Sequence, residues 1–287
     1  MKKIKLRRSA NRSYGGDVII GIILAFFCLI MVLPMVYALS SALKPLDEIW
    51  MFPPKFFVRN PTFKNFSQLF EIMSSFRVPF TRYIFNTVFI TVCSTAGHVL
   101  LASMCAYAFA KQKFYGKKVM FNLVVIALMF NPVVTSIPSF IIMSEIRWID
   151  SYLSYIIPAF ASALGLYLMK QFMEQMIPDS LLEAARIDGC NEFYMYFKIA
   201  MPIVKPATIT LIILSVQSMW NTGQSRYIFD ERLKTLNYAL SQILAGGISR
   251  AGVGAAASVI MMAVPILVFV IAQSNVIETM ATSGMKE

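Results

Sequence analysis

The chain has 287 residues, 57% of them hydrophobic and 14% charged, with a mean hydropathy of +0.65 and a formal net charge of +11. A soluble domain carries roughly 25% charged residues, so this composition excludes an ordinary soluble fold and points to an all-α integral membrane protein. The bases gather at the ends of apolar runs, which fits membrane topology and speaks against a phosphate-binding groove for nucleic acid.

Taken from the N-terminus, Lys2, Lys3, Lys5, Arg7, Arg8 and Arg12 make residues 1–17 a basic segment expected in the cytoplasm. The first uncharged run is Val18–Leu43. Although "YALSSA" resembles a cleavage site, the run is far longer than a signal core of about 7–15 residues, so a retained helix is expected. Residues 44–82 follow as an outer segment with Asp47, Glu48 and Glu71 among its bases. The second run is Tyr83–Ala110, closed by "KQKFYGKK", whose Lys111, Lys113, Lys117 and Lys118 belong in the cytoplasm. Val119–Ser144 and Ser151–Met169 are the third and fourth runs, Pro206–Gln224 the fifth and Ala251–Ile277 the sixth. Each comes to about the 20 residues a helix needs to cross a bilayer. Six spans over 18–277 put both termini on one side, with 170–205 and the tail 278–287 cytoplasmic.

Between the fifth and sixth runs lies an outer loop, 225–250. There Leu236, Leu240, Ile243 and Leu244 recur at helical spacing, which predicts a short helix lying on the membrane surface. The four cysteines, Cys28, Cys93, Cys105 and Cys190, have neither zinc nor redox spacing and read as buried small hydrophobes. With a single histidine, His98, there is no histidine metal cluster; His98 reads as a helix-contact residue. No G-x-x-x-x-G-K-[ST] nucleotide cradle occurs. "GVGAAA" at 252–257 follows no strand and reads as small residues for close helix packing.

One stretch is out of keeping with its surroundings: "EAARIDGCNEFYMYFKIAMP", residues 183–202, polar and two-part between apolar runs. Ser180 and Glu183 have the spacing of a capping box, Gly189 suits a left-handed stop, and Asn191 can cap a second helix on which Phe193, Phe197 and Ala200 share a face. Glu183 and Arg186 are spaced as a solvated i,i+3 pair. A compact helical knob on the cytoplasmic face is the expectation, and a docking surface is the reading that explains it.

These residues resemble a known family. E-A-A, three residues, G, nine residues and I-x-x-P, here Glu183, Ala184, Ala185, Gly189, Ile199 and Pro202, with Asp188 before the glycine, is similar to the EAA loop of ABC importer permeases. Met201 stands where leucine is common. The chain as a whole resembles the smaller permease of maltose-type carbohydrate importers, "SMWNTGQ" being similar to the Trp-Asn at the outer end of span five. The ending "NVIETMATSGMKE" resembles a Gram-positive branch importing oligosaccharides and polysaccharide fragments. The resemblance implies a type I importer. In it a second permease forms a heterodimer with this chain, two ATPase subunits hold ATP and Mg below, and an extracellular solute-binding lipoprotein delivers sugar above. It also implies a bacterial plasma-membrane location, a coupling loop at 178–205 and no ATP site, cofactor or metal in this chain itself.

For the sugar path, Asn131 lies mid-run before Pro132; it either lines the path or satisfies backbone that the proline frees. Trp220 and Asn221 lie at the outer end of span five, where Trp220 either stacks on a sugar ring or belongs to an aromatic belt. Asn86 and Asn122 are weaker path candidates. In the outer loop, Tyr227 and Phe229 are the expected binding-protein contacts. The competing readings are a permease for a non-sugar solute and a membrane enzyme or scaffold.

Overall fold

A computed structural model describes residues 14–75, 77–131, 133–222, 226–247 and 250–283, without the side chains of 14 and 274–283. The basic N-terminus up to residue 13, positions 76, 132, 223–225 and 248–249, and the last four residues of the tail lie outside the described residues. Every described regular element is helical.

Helix α1 (Tyr14–Leu43) carries apolar side chains on every side, and no residue of its most apolar stretch is buried within the chain. A helix hydrophobic all round belongs in lipid. The outer segment folds into α2 (Leu46–Ile49) and α3 (Lys64–Ser74). α3 is amphipathic, burying Leu69 and Met73 four residues apart. Its Asn65 amide donates to the carbonyls of Ala42 (2.8 Å) and Lys44 (2.7 Å), satisfying the open end of α1.

Helix α4 (Phe80–Lys111) is the central column, packed by α7 (Leu153–Phe160), α8 (Ala163–Met176) and α12 (Lys205–Trp220). Gly116, at φ +81°, turns the chain from α4 into α5 (Lys117–Ala127), a backbone angle where a Cβ is penalised. The third run is not one continuous helix. It breaks between α5 and α6 (Ser136–Glu145), and Asn131 Oδ1 accepts the Val133 amide (2.9 Å) inside the break. The sequence has proline at 132, which offers no amide to a helical ladder.

The fourth run holds as Leu153–Met176, long and apolar enough to cross a membrane, with a turn at 161–162. After it come α9 (Asp179–Ile187), α10 (Glu192–Tyr194), a π-helical turn (Met195–Ala200) and α11 (Met201–Ile203). α12 has only 16 residues and reaches spanning length when joined to Glu192–Ile203 across an 82° bend. Among the described residues four helices thus meet the length and apolarity of a span, and a fifth if the bent pair counts as one, which makes the protein all-α and multi-span.

The outer loop carries a 3-10 turn (Glu231–Leu233) and α13 (Leu236–Leu244). The apolar face of α13 packs against protein. Leu236, Ala239, Leu240 and Ile243 are buried in one core with Trp220 of α12, Leu69 and Met73 of α3, and Val253, Ala256 and Ala257 of α14 (Ala251–Ser283). Periodicity located the buried face; a protein core covers it. The small residues at the start of α14 make the expected close contact, since a Cβ on Gly252 would collide with the Asn65 side chain. The cysteines depart from expectation: Cys28 and Cys105 are exposed on α1 and α4, Cys93 on α4 is half-buried, and Cys190, in the turn after Gly189, is half-buried against the core.

Candidate functional site

The polar knob stands on a rigid base. α9 follows Pro178, whose φ of −66° suits a helix entry, and no side chain caps it. The expected Ser180–Glu183 capping box is therefore absent: the helix begins earlier, at Asp179, and both residues lie within it. α9 turns Leu182 and Ala185 inward to a core shared with Met169, Met173 and Ile177 of the preceding segment and Ala102, Ala106 and Tyr107 of α4. Gly189 ends this half at φ +81° with open space around it, the left-handed stop that the sequence requires. Asn191 Oδ1 then accepts the Tyr194 amide (2.7 Å) and caps the second half. The buried residues there are Met195, Tyr196 and Ala200, whereas Phe193 and Phe197 point outward. The π-helical turn shifts the register away from the simple spacing read from the sequence.

The outward face carries Glu183, Ala184, Asp188, Gly189 and Pro202, all exposed; Ile199 is half-buried and Ala185 belongs to the base. Ile187, at 87% exposure, forms an apolar tip beside them.

Polar ties within the knob and from it to α4 hold it in place, and the sequence reading missed them. Lys111 Nζ pairs with Asp179 at 2.6 Å. Arg186 pairs with Glu192 (2.9 Å) across the glycine turn, not with Glu183. The Glu192 carboxylate also accepts from Tyr107 Oη (3.1 Å) and from Gln112 Nε2. Deeper, Ser103 Oγ and Tyr196 Oη are hydrogen-bonded at 2.6 Å. The hydrogen bond and charge of Lys111 hold the Asp179 carboxyl below the usual carboxylate range. Between these ties runs a polar groove of about 480 Å³, bordered by Lys113, Lys117, Asp179, Glu183 and Arg186. Opposite charges in "KQKFYGKK" and in 179–192 were visible in the sequence, but the partners lie too far apart along the chain for spacing to pair them.

At the other end, Asp150 takes φ +54° and Arg147 φ +57°. Asp150 Oδ1 accepts the amides of Phe229 (2.6 Å) and Asp230 (2.8 Å), and its own amide donates to the Tyr227 carbonyl (2.9 Å). This two-way clasp leaves Phe229 exposed, while Tyr227 is half-buried and stacks on Phe140. Asn86, fully buried, donates to the carbonyls of Arg232 (2.8 Å) and Lys234 (2.9 Å) and accepts from Tyr152 Oη (2.7 Å). It is a loop anchor with every bond spent inside the protein. Burial alone would lower the Lys234 ammonium; hydrogen bonds to Glu231 and Tyr238 outweigh it and raise it.

The expected path residues are not gathered together. Asn131 is exposed in the α5–α6 break. Trp220 is buried, its indole N–H donating to the Met261 carbonyl (3.0 Å), so its ring is covered by protein in this conformation. Asn221 is exposed where α12 ends, and Asn122 is exposed on α5. His98 is the expected helix contact: it is buried on α4, and a Cβ at Gly165 of α8 would collide with its ring. Among the described residues, no three of His, Cys, Asp and Glu come together as a metal site.

Residues 98–281 match the family described as binding-protein-dependent transport system inner membrane component. The polygalacturonan/rhamnogalacturonan transport system permease protein YtcP of Bacillus subtilis is 31% identical over 79% of this chain and 78% of its own length. The melibiose/raffinose/stachyose import permease protein MelC of the same organism is 26% identical over 88% of this chain and 91% of its own. The fold is shared with a chain of a bacterial ABC transporter that imports the acidic polysaccharide alginate, with a TM-score of 0.76, 22% identity, and coverage of 93% of this chain and 99% of that one.

Proposed function

The chain belongs to the family of inner membrane components of binding-protein-dependent transport systems, and from that premise we propose that it is the smaller, maltose-type permease of an ATP-driven oligosaccharide importer. It forms half of the translocation pathway, paired with a different permease chain. ATP and Mg sit on two separate ATPase subunits, and an extracellular lipoprotein delivers the sugar. In this reading six spans cross the membrane, the broken α5–α6 segment and the bent α12 segment being the third and fifth, and both termini are cytoplasmic. The carbohydrate assignment rests on the relatives, whose names include polygalacturonan, rhamnogalacturonan, melibiose and raffinose.

The observation that carries the coupling role is the knob. Its base is locked to α4 and α8 by a shared core, and its outward face presents Glu183, Ala184, Asp188, Gly189 and the apolar tip Ile187. With Phe193 and Phe197 also exposed, the knob presents several large apolar side chains on one rigid mount, the kind of surface that a partner covers. Seated in an ATPase cleft, the knob moves when the ATPases close on ATP, and its base carries that motion into α4 and α8. The pathway then shifts between inward- and outward-facing states. Tyr227 and Phe229, with Asp150 behind them, serve as the contact for the binding protein. Purification of the tagged chain tests the assembly: a second permease and an ATPase are expected with it. A deletion strain should lose growth on one or more oligosaccharides of a panel. Growth on every sugar as in wild type, with no ATPase retained, would refute the function.

A further inference from the structure

A cleft of about 120 Å³ opens at the middle of the helical column, where α4, the turn into α8 and α12 meet. Its polar lining is Ser94 and His98 from α4, Ser162 at the turn, and Ser215 and Ser218 from α12; no lysine, arginine, aspartate or glutamate borders it. Gly165 completes the wall and leaves room for the His98 ring.

Ser94 is the informative residue. Its side chain is wholly buried, and its hydroxyl has no hydrogen-bond partner. A serine or threonine inside an apolar helix ordinarily bonds the carbonyl one turn back. Thr87 does so to Tyr83, Ser103 to Val99, Thr208 to Val204, Thr210 to Pro206 and Ser258 to Gly254. Thr91, about one turn earlier, and Thr95, the next residue, also have unpartnered hydroxyls, but of the three only Ser94 borders the cleft. A buried hydroxyl left open beside a cavity lined by further hydroxyls calls for a guest that both donates and accepts. The volume corresponds to about four water molecules, room for the hydroxyl edge of a sugar ring.

We propose that the Ser94–Ser215–Ser218 cleft is a subsite of the translocation path that takes the neutral hydroxyl edge of a passing glycan and is water-filled when none is present. The subsite rests on the carbohydrate reading above and adds to it a location in this chain, distinct from the residues that the sequence singled out. His98 closes one wall of the cleft, and Ser94 supplies the hydroxyl that the guest satisfies. Because the lining is uncharged, it exchanges hydrogen bonds and does not select for ionised solutes.

The test uses the full transporter in membrane vesicles. Cys28, Cys93, Cys105 and Cys190 are replaced by alanine, and Ser215→Cys and Ser218→Cys are introduced singly. A small water-soluble methanethiosulfonate reagent should label both, and a saturating concentration of the imported oligosaccharide should slow the labelling. In parallel, Ser94→Ala and Ser215→Ala should raise the half-saturating sugar concentration for uptake by roughly two- to twelve-fold, the range for one lost neutral hydrogen bond, with ATPase retention unchanged. Labelling that sugar leaves unaltered, or alanine variants with wild-type uptake kinetics, would overturn the subsite while leaving the importer reading intact. A wild-type complex that imports no glycan of the panel would remove the carbohydrate reading and the subsite with it.

Discussion

At Gly189 one backbone angle decides the effect of a substitution. A Cβ there meets nothing within 4 Å, so a substitution acts through the φ of +81° and not through collision. The left-handed region costs an ordinary residue roughly 1–2 kcal/mol, and asparagine tolerates it best. Gly189→Val should therefore impair ATPase retention and uptake together while the spans still insert, and Gly189→Asn should be milder, as read by pull-down and vesicle transport. Wild-type behaviour of the valine variant would remove the knob from the coupling path. Asp179 behaves differently. Its carboxyl is held low by Lys111, so the pair's contribution is present above the free carboxylate's pKa and is lost only as pH falls through the lowered value. Between about pH 5 and 8 it should be constant. Asp179→Asn should weaken the knob's tie equally across that window, by at most about 1 kcal/mol because the carboxylate is exposed. ATPase retention measured across pH checks both statements.

Among elements, α13 shows what periodicity can and cannot tell. Leu236, Leu240, Ile243 and Leu244 marked a helix correctly, yet two identical leucines have opposite fates. Leu240 is 1% exposed and Leu244 42% exposed. Leu240→Ala should cost about 2–5 kcal/mol through the cavity it leaves, and Leu244→Ala far less. Thermal unfolding in detergent would separate them, and equal losses would mean that the helix is not seated on α14 and α3 as described. The same limit applies to Trp220. An aromatic at the end of a span fits a sugar platform, an interfacial belt and a core equally well in sequence. Only the Met261 carbonyl, 41 positions away, distinguishes the third. Asn86 likewise gave no sign of its role, because its partners at 232 and 234 lie in another element.

For the molecule as a whole, the class was legible because lipid leaves a compositional mark on every span, and the knob because glycine, proline and capping residues act locally. What was not legible depends on long-range pairing: the ties of Asp179 and Glu192 to α4, the burial of α13, and the open hydroxyl of Ser94. The broken third segment is half legible, since the sequence shows the proline but its uncharged run crosses it without interruption. α1 and the α5–α6 segment bury little or nothing against the rest of the chain. If part of that surface meets a second permease, association stabilises the folded state by mass action. The thermal midpoint in detergent should rise when the partner permease is co-expressed. A midpoint identical with and without it would argue that lipid alone covers these helices.

The bend at Val204 makes a bell crank of the second half of the knob and α12. Glu192–Ile203 is one arm and Lys205–Trp220 the other, set 82° apart. At 1.5 Å per residue the arms are about 18 and 24 Å long, so a turn of about 5° about the corner would swing the far end of α12 by about 2 Å. That far end carries Ser215, Ser218 and Trp220. If the knob is the coupling element, a push on it would tilt the wall of the serine cleft, the single turn residue Val204 being all that separates the two arms.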